Sequence, residues 1–275
     1  MNGGDGVSVQ PEGYVLELSL DWIVLRASEN IHRLLGESHV TLIDEPLGRF
    51  VHAQALHDLR NLFSRLSGTT GIARAYRVRL ADHPILVDIA FQLSDGRVLL
   101  EAVPSAPDGF GEAFGTVGGL IAHLAGCSGQ SLLDSAARCM RALTGYDRVT
   151  LVCGDRFAES RRGAFTAVTG QSDDLPPMLC DCDCVAVPLF PRRGNDTAAS
   201  RCLTRVAGPD TVESLHEQGV RASMTVPITD GTNLIGHFRC DSRTPRAPNF
   251  ELHAAAELFA QMFAMRLAID ELGSA

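Results

Sequence analysis

The sequence contains no lysine, and this absence sets the charge character of the protein surface. All 24 basic residues are arginines, set against 33 aspartates and glutamates, so the formal net charge is −9 at pH 7. A surface this acidic repels phosphate groups. We therefore expect neither nucleic acid nor an anionic membrane surface as the main partner.

Two further features are missing, a long apolar run and an N-terminal targeting signal. No apolar run reaches the ~18 residues that would span a bilayer. The first nine residues, Met1 to Val9, are rich in glycine and lack the basic and apolar regions of a secretory signal. The sequence thus predicts a cytoplasmic protein with no membrane anchor, in which cysteines stay reduced.

Length and composition predict two ordinary globular domains. The chain has 275 residues, and domains average roughly 150 residues. A chain of this size buries about three-quarters of its unfolded surface, so its core needs no disulfide or metal for support. The hydrophobic share of 45% and the charged share of 21% exclude a disordered or fibrous protein.

Residues 1–107 predict a first domain built on an antiparallel sheet. Short β-rich runs, turn residues and two helical patterns alternate in this region. The predicted strands are Tyr14–Leu18, Trp22–Ala27, Ala73–Leu80, Ile85–Leu93 and Arg97–Val103. The predicted helices are Ile31–Leu35 and His52–Leu66. Strands with a few helices on one side are typical of an α+β domain.

Residues 112–275 predict a second antiparallel-sheet domain, flanked by long helices. It follows a break rich in proline, serine and glycine at Pro104–Gly111. The predicted helices are Ala113–Ala125, Ser131–Thr144 and Phe250–Leu272. The predicted strands are Arg148–Cys153, Ala164–Val168, Met178–Leu189, Ser223–Ile228 and Leu234–Cys240. The first and last helices are apolar around much of their circumference, so they either pack on their own sheet or also form a homodimer bundle.

Several blocks of the chain, in the right order, resemble the photosensory core of the bacterial phytochromes, in which a PAS domain precedes a GAF domain. The matching blocks are Ser8–Tyr14, Ala27–Asn30, Leu34–Gly36, Leu143–Val149, Val187–Leu189, Gly219–Met224 and Phe250–Leu252. The resemblance implies a PAS-like domain at 1–107 and a GAF-like domain at 112–275. The helical signalling domain and output enzyme usual in that family do not follow here, so the resemblance implies a fragment or a truncated relative.

The resemblance also implies a linear tetrapyrrole, a bilin, as the family's cofactor, and this sequence departs from the family where the bilin attaches. The family links its pigment to a cysteine near the N-terminus, whereas no cysteine precedes Cys127 here. The family's Pro-Ala-Ser-Asp-Ile-Pro loop, whose aspartate accepts hydrogen bonds from the pyrroles, aligns with a deletion between Gln171 and Leu179. Both departures disfavour biliverdin as a ligand.

Histidines that contact the pigment in the family are also replaced in this alignment. One aligns with Thr211, and a pair aligns with Asp241 and Ser242. Arg205 alone aligns with a propionate-binding arginine of the family, and a surface arginine is the other interpretation of it. Small-molecule sites depend on a few placed polar groups, so the resemblance implies a site that has lost most of its anchors.

Cysteine is concentrated in one short segment. Cys180, Cys182, Cys184 and Cys202 fall within 23 residues, while the remaining four are scattered. In a reducing compartment such a cluster favours metal or redox chemistry over structural disulfides. Four thiolates are the ligand set of an iron–sulfur cluster or of tetrahedral zinc. Soft sulfur donors with no histidine in the segment disfavour magnesium and calcium.

Geometry places a condition on this hypothesis and leaves alternatives open. On a flat strand the Cα atoms of Cys180 and Cys184 would be about 13 Å apart, so the segment must curl to hold one cluster. Cys240 could replace Cys202 as the fourth ligand. The cysteines could also be plain core residues of a half-buried strand, with Asp181 and Asp183 on its solvated face, or partners in a reversible disulfide.

The sequence therefore predicts a non-enzymatic sensor of α+β fold. We expect an iron–sulfur cluster on Cys180, Cys182, Cys184 and Cys202, with [4Fe–4S] the favoured type and zinc the alternative. We expect the protein to be a homodimer through its GAF helices. These helices would pass the signal to an output domain or partner protein. The alternatives are a red-light photoreceptor with noncovalent bilin and a ligand-free dimerisation module. His123, His216 and His237 are interpreted as ordinary core or surface histidines.

Overall fold

A computed structural model describes residues 6–66, 71–82, 84–107, 111–166, 175–194, 196 and 199–274. The chain divides into two compact units. The N-terminal unit consists of Met1–Ala106, Cys184–Val206 and Ala247–Phe250, and the C-terminal unit consists of Pro107–Asp183, Ala207–Arg246 and Glu251–Ala275. The chain therefore returns to the N-terminal unit after it has begun the C-terminal one.

Strands and helices alternate along both units. The strands are β1 (Ser8–Val9), β2 (Tyr14–Leu18), β3 (Val24–Ser28), β4 (Ile72–Val78), β5 (Val87–Ser94), β6 (Arg97–Pro104), β7 (Arg148–Cys153), β8 (Arg156–Arg161), β9 (Met178–Leu179), β10 (Val187–Phe190), β11 (Ala222–Asp230) and β12 (Asn233–Ser242). The helices are α1 (His32–Leu35), α2 (His39–Leu42), α3 (Ala53–Phe63), α4 (Glu112–Ala122), α5 (Gly129–Thr144), α6 (Pro209–Glu217) and α7 (Phe250–Ser274).

The N-terminal unit is built on one antiparallel sheet. Within the described residues its strand order is β1-β10-β3-β2-β6-β5-β4. Strand β10 comes from the returning segment and pairs with β3 through Leu189 opposite Ser28, and with β1 through Val187 opposite Val9. The sheet is therefore completed by residues that lie about 160–180 positions later in the sequence than the strands they pair with.

Both faces of this sheet are covered, which explains why every residue of β2 is buried. On one face Leu16 and Leu18 join the main core beneath the helices. On the other face Val15 and Leu99 pack with Cys202 of the returning segment. Successive residues of a strand point to opposite faces, so β2 is buried on one face by the main core and on the other by a distant piece of chain.

The C-terminal unit has a five-stranded antiparallel sheet of order β8-β7-β12-β11-β9 in the described residues. Helix α5 lies against β7 and β8, and α7 packs through Phe259 and Phe263 on Phe238 of β12, with ring centroids 6.0 and 5.5 Å apart. Edge-to-face aromatic contacts of this kind add specificity to a core. This arrangement confirms the predicted α+β fold.

Two predicted strands are wrong. The strand expected at Ala164–Val168 is not present over its described residues, 164–166, while its last two residues lie outside the described ranges; residues of β8 pair with β7 instead. The single strand expected at Met178–Leu189 is two short strands, β9 and β10, separated by an irregular segment. None of the helices in the described ranges combines the length and apolar character that crossing a bilayer requires.

Candidate functional site

The cysteine-rich segment leaves the sheet after β9 and forms a turn. The Cys182 N–H donates to the Arg221 carbonyl at 2.8 Å, and the Asp183 N–H donates to Oδ1 of Asp181 at 3.1 Å. An aspartate that accepts from the backbone two residues ahead stabilises a turn in place of a strand. The segment therefore turns away from the sheet, and Cys180, Cys182 and Cys184 do not lie on a strand.

The four predicted ligands are divided between the units. Cys180 and Cys182 are buried in the C-terminal unit, and Cys184, half-buried, and Cys202, fully buried, belong to the N-terminal unit. Cys202 packs in an apolar cluster of that unit. The eight cysteines, which all lie in described ranges, form no disulfide. The iron–sulfur site on all four stays a prediction.

One group of potential metal ligands stands out among the described residues, and it combines Cys182 with Asp183 and His216. The ligand atoms of these three residues all lie within 4.8 Å of one another. Nε2 of His216 is 2.7 Å from Oδ1 of Asp183, and Sγ of Cys182 is 3.9 Å from the same oxygen. Of the four predicted thiolates, Cys182 alone belongs to this group.

Local backbone geometry brings these three side chains together. Helix α6 carries His216 in its last turn and ends at Glu217. Gly219 then adopts a φ of +68°, a left-handed conformation that suits glycine and commonly ends helices. The Val220 N–H returns to the Leu215 carbonyl at 2.9 Å, and the Val220 carbonyl accepts from the Cys182 thiol at 3.5 Å.

Burial and the neighbouring charges together set the pKa of the Cys182 thiol. Burial, reinforced by Asp183, raises the pKa of Cys182 to about 11, although Arg221 opposes the shift. The Arg221 guanidinium bonds both Asp181 (2.8 Å) and Asp183 (3.0 Å). Burial also raises the pKa of Cys202 well above its usual value, with Glu101 adding to the effect. Both shifts favour the protonated thiol over the thiolate.

The positions that align with the family's pigment-contacting histidine pair carry a buried polar network. Both carboxylate oxygens of Asp241, which is fully buried, accept hydrogen bonds. Oδ1 accepts from Ser223 (2.9 Å) and from Nε of Arg239 (2.8 Å). Oδ2 accepts from Nε (3.0 Å) and Nη2 (2.7 Å) of Arg148. Gln218 accepts from both arginines and closes the network.

Two other positions are singled out by the resemblance, Thr211 and Arg205. The first is buried, and the second belongs to the N-terminal unit. Thr211 is buried in α6. Arg205 forms a β-bridge with Val9, and its carbonyl accepts from the side chain of Gln10. A carboxylate has about four lone-pair positions, and those of Asp241 are all taken by protein donors. These residues do not fit the hydrogen-bonding needs of a bilin at Asp241.

Comparison with known families agrees with this architecture. Residues 128–270, more than half of the chain, match the GAF domain, and residues 5–103 match the PAS fold. The chain belongs to the GAF domain family. With the preceding PAS fold and the relatives below, it is a bacteriophytochrome-like PAS–GAF sensory module.

Curated relatives of this PAS–GAF module are longer phytochromes. It is 28% identical over 286 aligned positions to a bacteriophytochrome of Pseudomonas aeruginosa, covering 93% of this chain and 38% of the relative. It is 23% identical to cyanobacterial phytochrome B of a Nostoc species, covering 96% of this chain and 39% of the relative. The chain thus spans about two-fifths of the length of these relatives.

Solved phytochrome structures share the fold of the module. The photosensory core module of a Stigmatella aurantiaca phytochrome superposes with a TM-score of 0.80 at 23% identity, covering 96% of this chain and 58% of that one. The chromophore-binding domain of an unusual bacteriophytochrome from R. palustris gives a TM-score of 0.79 at 24% identity, covering 98% and 97%. The predicted resemblance to a phytochrome PAS–GAF core is confirmed.

Sequence reasoning missed His216 and Asp183 as partners of Cys182. His216 follows Asp183 by 33 residues and sits in a helix with no local motif around it. The alternating Cys-Asp pattern predicts a strand with Asp183 on its solvated face, whereas Asp183 lies in a turn. The available signal was the end of α6 at a glycine, followed by a sheet strand, which brings the helix end back towards the sheet.

Proposed function

We propose that this module is a non-enzymatic sensor that works without a bilin and receives its signal through a thiolate-bound metal centre in the GAF domain. The observation that supports the first part is the saturated carboxylate of Asp241. A bilin contact there would have to displace Arg148, Arg239 or Ser223. Removing one partner of a buried ion pair costs about 3–5 kcal/mol, so a bilin contact that displaced either arginine would be costly.

The concentration of thiols supports the second part of the proposal. The predicted ligands are Cys180, Cys182, Cys184 and Cys202, and the favoured centre is a [4Fe–4S] cluster, with zinc as the alternative. The turn after β9 takes this segment out of the flat strand that would hold Cys180 and Cys184 far apart. The potential of a cluster depends on charge, hydrogen bonds and exposure around it, so such a centre would report oxygen, redox state or iron supply.

Purification without oxygen tests the proposal. We expect brown protein with broad visible absorbance that contains iron and sulfide. Cys184→Ser and Cys202→Ser should each remove the iron, whereas Cys139→Ser, a buried cysteine of α5, should leave it. Colourless protein that holds zinc and loses it in the same variants would identify zinc as the metal. Colourless, metal-free protein would overturn the metal centre and leave a ligand-free dimerisation module.

A red-light photoreceptor with noncovalent bilin is the second candidate function, and the comparisons favour it. The curated relatives are named as phytochromes, and a structural neighbour is a chromophore-binding domain. Biliverdin added to the purified module provides the test. We expect no red-absorbing complex, and a photoconvertible red band that survives gel filtration would establish this function and refute bilin-free sensing.

The proposed sensor acts as a homodimer through its GAF helices and passes its signal to an output domain or partner protein. Helix α7 supports the dimer because large apolar side chains remain exposed along it. Met265, Ile269 and Leu272 are 70%, 63% and 81% exposed. Their spacing of four and three residues places them on one face of the helix.

A further inference from the structure

The cluster of Cys182, Asp183 and His216 differs from every site that the four-cysteine pattern predicts. It contains one sulfur, one oxygen and one nitrogen donor, all within 4.8 Å of one another. The three donors are carried by two separate elements, the turn after β9 and the last turn of α6. The fold brings His216 to this turn, because it lies 33 residues after Asp183 in the sequence.

The distances between the donors are close to those of a tetrahedral metal site. Metal–sulfur bonds of about 2.3 Å and metal–nitrogen or metal–oxygen bonds of about 2.0–2.2 Å place neighbouring ligands roughly 3.3–3.6 Å apart. The sulfur–oxygen distance is 3.9 Å, and the nitrogen–oxygen distance is 2.7 Å. To hold a metal, the nitrogen–oxygen pair would have to separate by about 0.6 Å and the sulfur–oxygen pair to approach by about 0.3 Å. The sulfur–nitrogen distance, which is within 4.8 Å, would have to be about 3.6 Å.

The charges around the cluster balance a divalent cation. Asp181 and Asp183 are both bonded to Arg221, so these three groups together carry a single negative charge. Deprotonated Cys182 adds a second one. A cation of charge +2 therefore neutralises the group, while Arg221 keeps Oδ2 of Asp183 engaged and leaves Oδ1 to face the histidine and the sulfur.

Exposure leaves an approach route and a free coordination position. The side chains of His216 and Asp183 are 48% and 46% exposed, whereas Cys182 is buried behind them. Three protein ligands with a solvent-facing fourth position are the arrangement of zinc sites that exchange a ligand, in contrast to closed structural sites. A small anion or thiol could occupy that fourth position.

We propose that Cys182, Asp183 and His216 bind a divalent transition cation of the zinc class, with one coordination position open to solvent. On binding, a metal–sulfur bond replaces the thiol S–H bond and its proton passes to solvent. The inference rests on the proposed thiolate-bound metal centre of the GAF domain and replaces its four-thiolate donor set with a mixed one, because Cys182 cannot serve both centres at once. It does not require Cys184 or Cys202, and its failure is therefore distinguishable from failure of the four-cysteine cluster.

Titration of the full chain with Co²⁺, followed by visible spectroscopy and by competition with Zn²⁺, tests the site. We expect one equivalent of Co²⁺ to give intense tetrahedral and sulfur-to-cobalt charge-transfer bands, which Zn²⁺ abolishes. Cys182→Ser should remove the charge-transfer band, and His216→Ala and Asp183→Asn should each weaken binding at least tenfold. His123→Ala, an exposed histidine beyond α4, is the matched control.

The cysteine variants separate the two metal hypotheses. Cys184→Ser and Cys202→Ser should retain the cobalt spectrum if the mixed site is correct. Loss of the spectrum in those two variants, with full binding in His216→Ala, would overturn the mixed site in favour of four thiolates. Absence of saturable cobalt or zinc binding in the unmodified protein would overturn it as well. Circular dichroism of each variant checks that it is folded.

Discussion

Glu101 shows how a single buried acid joins distant parts of the chain. This residue of β6 is 1% exposed, and its carboxylate accepts from the Leu203 N–H at 2.6 Å and from the N–H and hydroxyl of Thr204 at 3.1 and 3.0 Å. Burial raises its pKa to about 7 despite these bonds and despite the favourable charge of Arg74. Through these hydrogen bonds Glu101 holds the returning segment, which completes the N-terminal sheet, against β6.

The raised pKa of Glu101 predicts a pH dependence of stability. Between pH 4.5 and 7 the folded protein keeps a proton that the unfolded chain has released, so the free energy of unfolding falls as the pH rises through this interval. A pKa raised from 4.5 to about 7 corresponds to roughly 3 kcal/mol. Urea unfolding of the wild type and of Glu101→Gln across this range measures the difference between the two slopes.

We expect Glu101→Gln to be less stable than the wild type at every pH, because its amide NH₂ faces N–H donors. Its free energy of unfolding should not show the fall between pH 4.5 and 7 that comes from Glu101. Glu37→Gln changes an exposed glutamate of the same unit and serves as the control. Equal slopes in the wild type and Glu101→Gln would show that the carboxyl does not titrate in this interval.

At the residue scale the sequence indicates which chemistry is present but not which groups meet. The concentration of Cys180, Cys182 and Cys184 is visible in the sequence. The pairing of Asp183 with His216 is not, because it depends on where α6 ends and how Gly219 turns the chain. Nor does any pattern reveal that Asp241 lies between two arginines.

At the scale of the element, local patterns predict most strands and helices. Strands β2 and β7 have the predicted bounds, and the turn at Ser94–Gly96 follows from Asp95 and Gly96, which both have positive φ. The predicted strand Met178–Leu189 is wrong because the side chain of Asp181 satisfies the backbone at Asp183, a competition that β-propensity does not include.

Helix α7 provides a test of the proposed dimer. Met265→Glu combined with Ile269→Glu places two charges in its exposed apolar stripe, and burying unpaired charges in an interface is costly. We expect the wild type to be a dimer and the double variant a monomer in analytical ultracentrifugation. Leu234→Glu at the start of β12 changes a side chain of similar exposure, 69%, and should leave the dimer intact. A monomeric wild type would contradict the proposal.

At the scale of the whole molecule, the sequence predicts the order of two α+β domains but not their interleaving. The strand patterns and the resemblance both place a PAS-like domain before a GAF-like one. The pairing of β10 with β1 and β3 joins residues about 160–180 positions apart, and no local rule predicts contacts at that separation. The predicted boundary between 107 and 112 stays a prediction about sequence only.

The interleaving predicts that residues 1–106 do not fold well alone. Such a fragment lacks β10 and the cover of Val15, Leu99 and Glu101, so it should unfold with low cooperativity in urea and bind a hydrophobic dye. Attaching residues 184–206 through a flexible glycine–serine linker should restore a sharp transition. Attaching a segment in which residues 184–206 are in scrambled order should not restore it. A cooperative transition in the bare fragment would contradict the prediction.

The late position of β10 in the sequence also determines when the N-terminal sheet can form during translation. Ribosomes add roughly 5–20 residues per second, so the first hundred residues wait several seconds for the segment that closes their sheet. During that interval the open edge of β3 is a template for mispairing with other nascent chains. The N-terminal sheet is therefore completed late in translation, after β10 has been synthesised, and slower elongation before residue 187 would prolong the exposure of this edge.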